Sequence, residues 1–171
     1  MEKTINLIEI TQPIGTFYVG KMNSEDLVKS FYVRSRVDGD GIQRLSSRKR
    51  VDEIEAYCKD PDAAFPTPII LSVDSSKCKF GENSSTSTVI FENSEEVFEI
   101  IDGQHRVKGI KQAQHSFGFK CELLVVFMFD LTEEEKAYIF STINSNQAKV
   151  DKSLIYDLFE LSTERSPLKT C

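Results

Sequence analysis

Five consecutive residues, Asp102-Gly103-Gln104-His105-Arg106, carry the side chains best suited to chemistry in this sequence. Asp102 offers a carboxylate, Gln104 an amide and His105 a titratable imidazole, so these three are candidate catalytic groups. His105 is one of only two histidines in the chain. The alternative is a structural turn in which Asp102 only caps the following helix.

The same five residues favour phosphate binding. An apolar, β-prone segment precedes them and apolar residues with helical spacing follow, which predicts a strand, a tight turn and a helix. A helix N-terminus attracts anions, glycine permits close approach of the backbone, and a guanidinium can fork onto phosphate oxygens. Gly103 and Arg106 are therefore candidate phosphate-binding residues.

Two other polar clusters are candidates for ligand binding. Asn144 follows Ala137 and Phe140 at helical spacing, which predicts that it shares a buried face with them and needs a polar partner. That partner is a ligand or hydrated Mg²⁺, or else the amide only caps its helix. Gln43 and Arg44 precede a predicted helix, where Arg44 either reaches a phosphate or is solvated.

Charge is distributed unevenly along the chain. Residues 29–50 hold seven basic and two acidic side chains, whereas residues 51–101 hold 11 acidic side chains and three lysines. The basic block either meets the phosphates of a nucleic acid or is a solvated surface beside an acidic neighbour. Its candidate DNA-binding residues are Arg34, Arg36, Arg48, Lys49 and Arg50.

The elements that must position these residues alternate between strands and helices. β-prone apolar runs predict strands over 69–73, 97–101 and 120–129. Helical spacing predicts a helix after the glycine turn, and the capping box Thr132-x-x-Glu135 predicts the start of another. The interleaving favours a mixed α/β or α+β class, and we expect an α+β domain with a small mixed sheet flanked by helices and followed by C-terminal helices.

Composition excludes several functional classes. The 171 residues are 40% hydrophobic and 28% charged with a net charge of −6, which is typical of one globular domain and not of a uniformly basic nucleic-acid binder. The longest apolar run has seven residues, and a membrane helix needs about 20. The N-terminus has no apolar stretch like a signal peptide, so we expect a cytoplasmic protein. No metal-binding spacing of cysteines or acidic residues is visible.

Two segments resemble a known family. The run 102–106 resembles the signature of DGQHR-domain proteins, which include the DndB family of DNA phosphorothioation systems. The segment 140–144, followed by 153–158, is similar to the second motif of that family. Over about residues 30–160 the order of motifs is also similar to the ParB/sulfiredoxin-like superfamily.

The resemblance implies roles for individual residues. Arg106 aligns with the phosphate-binding arginine of the superfamily, and Asn144 aligns with its polar residue that meets the nucleotide or metal. Gln43 and Arg44 align with its Gln/Arg element. Gln104 stands where ParB proteins carry a glutamate and where sulfiredoxins carry a cysteine, so neither a hydrolytic carboxylate nor sulfiredoxin activity is implied.

The resemblance implies a DNA-associated regulator or accessory protein of a prokaryotic DNA-modification or defence system. Residues 1–130 would form the ParB-like core, and residues 131–171 a helical extension packed on it that begins a longer helical region. The implied partners are DNA, a nucleotide, other DNA-modification proteins and a second copy of the chain. The alternatives are a weak ParB-like triphosphatase using ATP, GTP or CTP with Mg²⁺, and a protein-interaction domain without catalysis. In the nucleotide-binding alternative we expect Arg106→Ala to abolish stabilisation by nucleotide and to leave the fold intact.

Overall fold

A computed structural model describes residues 1–34, 47–83, 86–94 and 96–145, which contain eight strands and four α-helices. The strands are β1 (Glu2–Gln12), β2 (Gly15–Asn23), β3 (Phe31–Tyr32), β4 (Ile69–Val73), β5 (Cys78–Asn83), β6 (Thr86–Glu92), β7 (Phe98–Asp102) and β8 (Glu122–Phe129). The helices are α1 (Ser24–Ser30), α2 (Arg48–Tyr57), α3 (Gln104–Phe117) and α4 (Glu133–Ser145), and a 3-10 turn (Ser75–Lys77) joins β4 to β5. None of the described helices is long and apolar enough to cross a membrane.

All eight strands form one mixed sheet in the order β3-β7-β4-β8-β2-β1-β6-β5. β3 is parallel to β7 and β4 is parallel to β8, whereas the other neighbours are antiparallel. The sheet curls, so that the ring of Phe80 in the edge strand β5 lies 5.5 Å from the ring of Phe129 in β8. This architecture confirms the mixed α+β class predicted from the sequence.

The main core lies between the sheet and α3. In β8 every second side chain is buried, as the two-residue period of a strand requires, and α3 contributes an apolar face at helical spacing. α2 packs on α3 at Gly109, where a Cβ atom would lie 2.5 Å from Cγ2 of Ile54. The core residues of β8 and α3 that are at most 1% exposed are Leu123, Val125, Phe127, Val107, Ile110 and Ala113.

The start of α4 is fixed by two sets of polar contacts. The predicted capping box is present, because the Glu135 N–H donates to Oγ1 of Thr132 at 3.3 Å and the Thr132 N–H donates to Oε2 of Glu135 at 2.8 Å. One turn later, the buried Lys136 Nζ donates to Oε2 of Glu99 in β7 at 2.9 Å. A buried ion pair of this kind holds its two elements together, because separating them leaves a charge without its partner.

The chain divides into two compact units, Met1–Phe140 and Ser141–Cys171. The first unit contains the whole sheet, α1, α2, α3 and most of α4. The described part of the second unit is the end of α4, residues 141–145. The sequence also predicts a last helix capped by Asp151, and that segment lies outside the described residues.

Candidate functional site

The predicted strand, turn and helix are present at residues 98–117. β7 ends at Asp102, Gly103 adopts the left-handed conformation with φ of 97°, and α3 begins at Gln104. A Cβ atom on residue 103 would lie 2.5 Å from Cδ1 of Ile69 at the start of β4. Glycine is therefore required here, and within the structure its close neighbour is Ile69.

Arg106 joins this turn to the segment that precedes β4. Its Nη1 donates to the carbonyl and to Oγ1 of Thr67, and its Nη2 donates to the carbonyl of Pro68 at 2.9 Å. Nη2 also contacts Oδ2 of Asp102 at 3.4 Å. Burial lowers the pKa of Arg106 from its usual value, and Asp102 opposes that shift. The guanidinium thus crosslinks residues that are almost 40 positions apart, and a phosphate would have to share it with these partners.

His105 joins the start of α3 to the start of α2. Its Nε2 accepts a hydrogen bond from the backbone N–H of Ser47 at 3.1 Å, which assigns the ring proton of the neutral imidazole to Nδ1. Burial lowers the pKa of His105 below its usual 6.5, the cations of Arg50 and Lys108 lower it further, and Asp102 raises it. The imidazole is therefore neutral near pH 7.

The three candidate catalytic residues have different surroundings. Asp102 is partly exposed and faces Arg106, whereas Gln104 is buried. His105 faces the start of α2 through its bond to Ser47. Asp102 and His105 lie close enough to influence each other electrostatically. Their catalytic role stays a prediction.

Two helix N-termini converge beside His105. Neither Ser47, at the N-cap of α2, nor Gly103, at the N-cap of α3, supplies a side-chain hydrogen bond to its helix. The sequence offers Ser46 or Ser47 as the cap of α2; Ser46 lies outside the described residues, and Ser47 makes no side-chain cap but donates its N–H to His105. The N-cap residues of both helices therefore leave the positive ends of the helix dipoles without a side-chain acceptor of their own.

The basic candidates, together with the neighbouring Gln43, divide into three groups. Arg48, Lys49 and Arg50 form the exposed first turn of α2, beside His105. Arg34 instead lies against acidic side chains, with its Nη1 3.2 Å from Oε1 of Glu133 and its Nε 3.9 Å from Oε2 of Glu99. Glu99 is also the main cause that raises the pKa of Arg34. The candidates that lie outside the described residues are Arg36, Gln43 and Arg44.

The structure corrects the prediction that Asn144 shares a buried face with Ala137 and Phe140. Ala137 and Asn144 are exposed, and Phe140 is half-buried. The buried residues of α4 are Lys136 and Ile139. A hydrophobicity pattern cannot identify this face, because one of its two buried residues is a lysine whose ion-pair partner lies in β7.

Other polar residues near the turn were not singled out by the sequence. Thr67 binds Arg106, Ser47 binds His105, and Lys108 contributes a cation beside the imidazole. Lys108 lies about one helical turn after Gly103 in the sequence. This spacing is the signal that could have identified it. The described residues contain no group of three or more His, Cys, Asp or Glu side chains that could hold a metal ion.

Comparisons with known proteins give a family and a fold. Residues 6–170 match the family DndB, described as DNA-sulfur modification-associated. No curated protein matches the chain. Among solved structures, the chain is similar to the C-terminally truncated chromosome-partitioning protein ParB from Caulobacter crescentus, complexed with CTP-γ-S, with a TM-score of 0.51 and 12% identity. This similarity covers 86% of the chain and 66% of the ParB chain, slightly under two thirds of that protein, and it shows a shared fold.

The family match extends over nearly the whole sequence. It includes the turn at 102–106 and the segment 140–144, the two features on which the resemblance to DGQHR-domain proteins depends. The ParB-like fold agrees with the superfamily that the order of the motifs indicates. The chain therefore belongs to the DndB family of DNA-sulfur modification-associated proteins.

Proposed function

We propose that this chain is a DNA-associated regulator or accessory protein of a prokaryotic DNA phosphorothioation system. DNA phosphates bind where α2 and α3 begin, at the surface formed by Arg48, Lys49, Arg50 and Lys108. Membership of the DndB family supports the link to DNA modification. The convergence of two helix N-termini with these cations supports the DNA-binding role.

The basic first turn of α2 carries the proposal. A helix N-terminus is the positive end of the helix dipole, so acidic side chains stabilise it and basic ones are unfavourable there. The first turn of α2 holds three basic residues and no acidic one. Within the described residues, neither Arg48 nor Arg50 forms an ion pair, and Lys49 lies 4.0 Å from Glu53. A bound polyanion offsets this concentration of positive charge.

Salt dependence of DNA binding tests the proposal. Fluorescence anisotropy of a labelled duplex is measured between about 50 and 200 mM salt for the wild type and for the triple variant Arg48→Gln/Lys49→Gln/Arg50→Gln. Each phosphate contact contributes about 0.9 to the slope of log K against log salt. The slope measured for the triple variant is therefore expected to be smaller in magnitude than that of the wild type by about 2 to 3. The matched control removes the same charge from exposed lysines elsewhere, as Lys59→Gln/Lys79→Gln/Lys120→Gln. Equal slopes for the two triple variants would contradict the proposal.

A second candidate function is nucleotide binding at the turn itself. The N-terminus of α3 presents the positive end of a helix dipole, which favours a phosphate group, and the ParB structure with the same fold contains CTP-γ-S. In this candidate Gly103, Arg106, Gln43, Arg44 and Asn144 would contact a nucleoside triphosphate, which would bring Mg²⁺ with it. Hydrolysis would use Asp102, Gln104 or His105.

Thermal stability with added nucleotide separates the two candidates. ATP, GTP or CTP with Mg²⁺ at millimolar concentration raises the melting temperature if the chain binds it. The triple variant of α2 is expected to keep that rise, because the nucleotide candidate depends on the turn at 102–106. The absence of any rise in the wild type would exclude nucleotide binding and leave the DNA proposal standing.

A further inference from the structure

A polar cavity of about 350 Å³ lies at the opposite end of β7 from the 102–106 turn. Glu99 lines it, and Asp102 ends the same strand three residues later, about 10 Å away. The volume is at the lower end of the range for small-molecule sites. Among the described residues that the sequence singles out, Arg34 alone lines this cavity.

One side of the cavity is cationic. Tyr32 stands on the edge strand β3, with Nζ of Lys77 5.2 Å and Cζ of Arg34 5.9 Å from the centre of its ring. Lys77 also donates to the carbonyl of Glu96 at 2.7 Å, which holds its ammonium in place. Because two cations already lie over the Tyr32 ring, an anionic group is a better ligand for this side than an aromatic base that would stack on the ring.

The other side of the cavity is anionic. Asp74 follows β4 and Asp130 follows β8, and these strands are parallel neighbours with Val73 opposite Phe129. Oδ1 of Asp74 accepts from the N–H of Ser76 at 2.9 Å, and Oδ1 of Asp130 accepts from the N–H of Ser75 at 2.9 Å. Within the described residues the second oxygen of each carboxylate has no hydrogen-bond donor. Two fixed carboxylates side by side suit a ligand ammonium group.

Four charged side chains in and beside the cavity neutralise one another. Arg34 and Lys136 share Glu99 and Glu133 at distances of 2.8 to 3.9 Å, so these four together add no net charge. Lys77 is then left on one side, and the carboxylates of Asp74 and Asp130 are left on the other. A nucleoside triphosphate carries too much negative charge for this balance, whereas a molecule with one ammonium and one carboxylate complements both sides.

We propose that this cavity binds a small zwitterion of amino-acid size. Its carboxylate faces Lys77, and its ammonium faces Asp74 and Asp130. The backbone of β3 is separated from that of β4 by one intervening strand, about 10 Å, and long side chains shorten that span. A ligand whose two charges lie several ångströms apart therefore fits best.

A series of amino acids with increasing distance between the ammonium and the carboxylate tests the proposal. Glycine, β-alanine, γ-aminobutyrate, ε-aminocaproate and the twenty L-amino acids are tested singly at about 10 mM by thermal shift and by saturation-transfer NMR. At least one of them is expected to raise the melting temperature by about 4 °C. Butylamine and butanoate, which match γ-aminobutyrate in length but carry one charge each, are expected to bind at least about tenfold more weakly than the best zwitterion. Binding by none of the zwitterions, or equal binding by a singly charged analogue, would overturn the proposal.

Charge-neutral variants locate the binding. Asp130→Asn keeps an oxygen for the Ser75 N–H and tolerates the φ of 52° at this position, so the variant is expected to fold. Asp130→Asn and Lys77→Gln should each weaken binding of the best zwitterion by about tenfold or more. The controls Asp62→Asn and Lys59→Gln, at exposed positions away from the cavity, should leave it unchanged. Unchanged binding in both cavity variants would place the ligand elsewhere and overturn the proposal.

Discussion

Replacement of Arg106 by alanine tests whether this arginine holds the turn at residue 102 in place. The side chain is 18% exposed, and it makes three hydrogen bonds to Thr67 and Pro68 and an ion pair with Asp102. The structure therefore changes the sequence-based expectation that Arg106→Ala leaves the fold intact. We now expect a measurable loss of stability even without any ligand.

The size of the loss follows from the contacts. A hydrogen bond to a charged group contributes about 1.5 to 3 kcal/mol, but such values are not additive for neighbouring bonds. Loss of the whole set from a partly exposed site should lower the free energy of unfolding by about 3 kcal/mol. For a chain of this length that corresponds to a fall in melting temperature of about 6 to 12 °C.

Urea unfolding followed by circular dichroism measures this difference. Arg106→Lys keeps the charge but not the planar fork that reaches Thr67 and Pro68, so it should recover less than half of the loss. Arg48→Ala is the matched control, because Arg48 is exposed and has no partner in the described residues, and its effect should be within about 0.5 kcal/mol. If Arg106→Ala were as stable as Arg48→Ala, the arginine would not hold the turn in solution, and the reasoning would be refuted.

Three other changes have expected outcomes. Gly103→Ala should cost about 2 to 3 kcal/mol in urea unfolding, because a Cβ atom would meet Ile69, whereas Gly118→Ala, with φ of 72° and no atom within 4 Å, should cost about 1 kcal/mol. The free energy of unfolding should fall as the pH drops from 7 through 6.5 towards the lowered pKa of His105, because the unfolded chain binds the proton more readily. His105→Gln should remove this pH dependence, whereas the control His115→Gln should leave it in place. Arg50→Gln should raise the pKa of His105 in an NMR titration, because the cation of Arg50 lowers it. Lys136→Met should destabilise the fold by about 3 kcal/mol, because Glu99 loses its buried partner. Lys21→Met breaks an exposed ion pair of 2.6 Å and should cost less than about 1 kcal/mol. Equal losses of stability in the two variants would show that burial does not decide how much an ion pair contributes here.

Local signals in the sequence were sufficient for the turn and for the start of α4. The Asp-Gly pair between an apolar run and helical spacing predicts the end of β7 and the start of α3, and Thr132-x-x-Glu135 predicts its capping box. β1 (Glu2–Gln12) was not predicted, although its buried residues Ile5 and Leu7 alternate with exposed ones. The strand also contains several polar residues, so its hydrophobic pattern is weak.

The contacts that define the candidate site could not be predicted, because they join residues far apart in the sequence. Arg106 binds Thr67, and Arg34 lies against Glu99 and Glu133. When the local sequence predicts that a charged residue is exposed, it gives no sign of a partner elsewhere in the chain. The burial of Lys136, and with it the orientation of α4, depends in the same way on a carboxylate of another element.

Amide chemical shifts during titration with duplex DNA test most directly where the DNA binds. In a ¹H–¹⁵N correlation spectrum, the largest shifts are expected at Ser47, Arg48 and Arg50 in the start of α2 and at His105 and Lys108 in the start of α3, and they should diminish when the salt concentration is raised. Large shifts confined to other surfaces, with the starts of both helices unchanged at low salt, would contradict the proposed DNA-binding site.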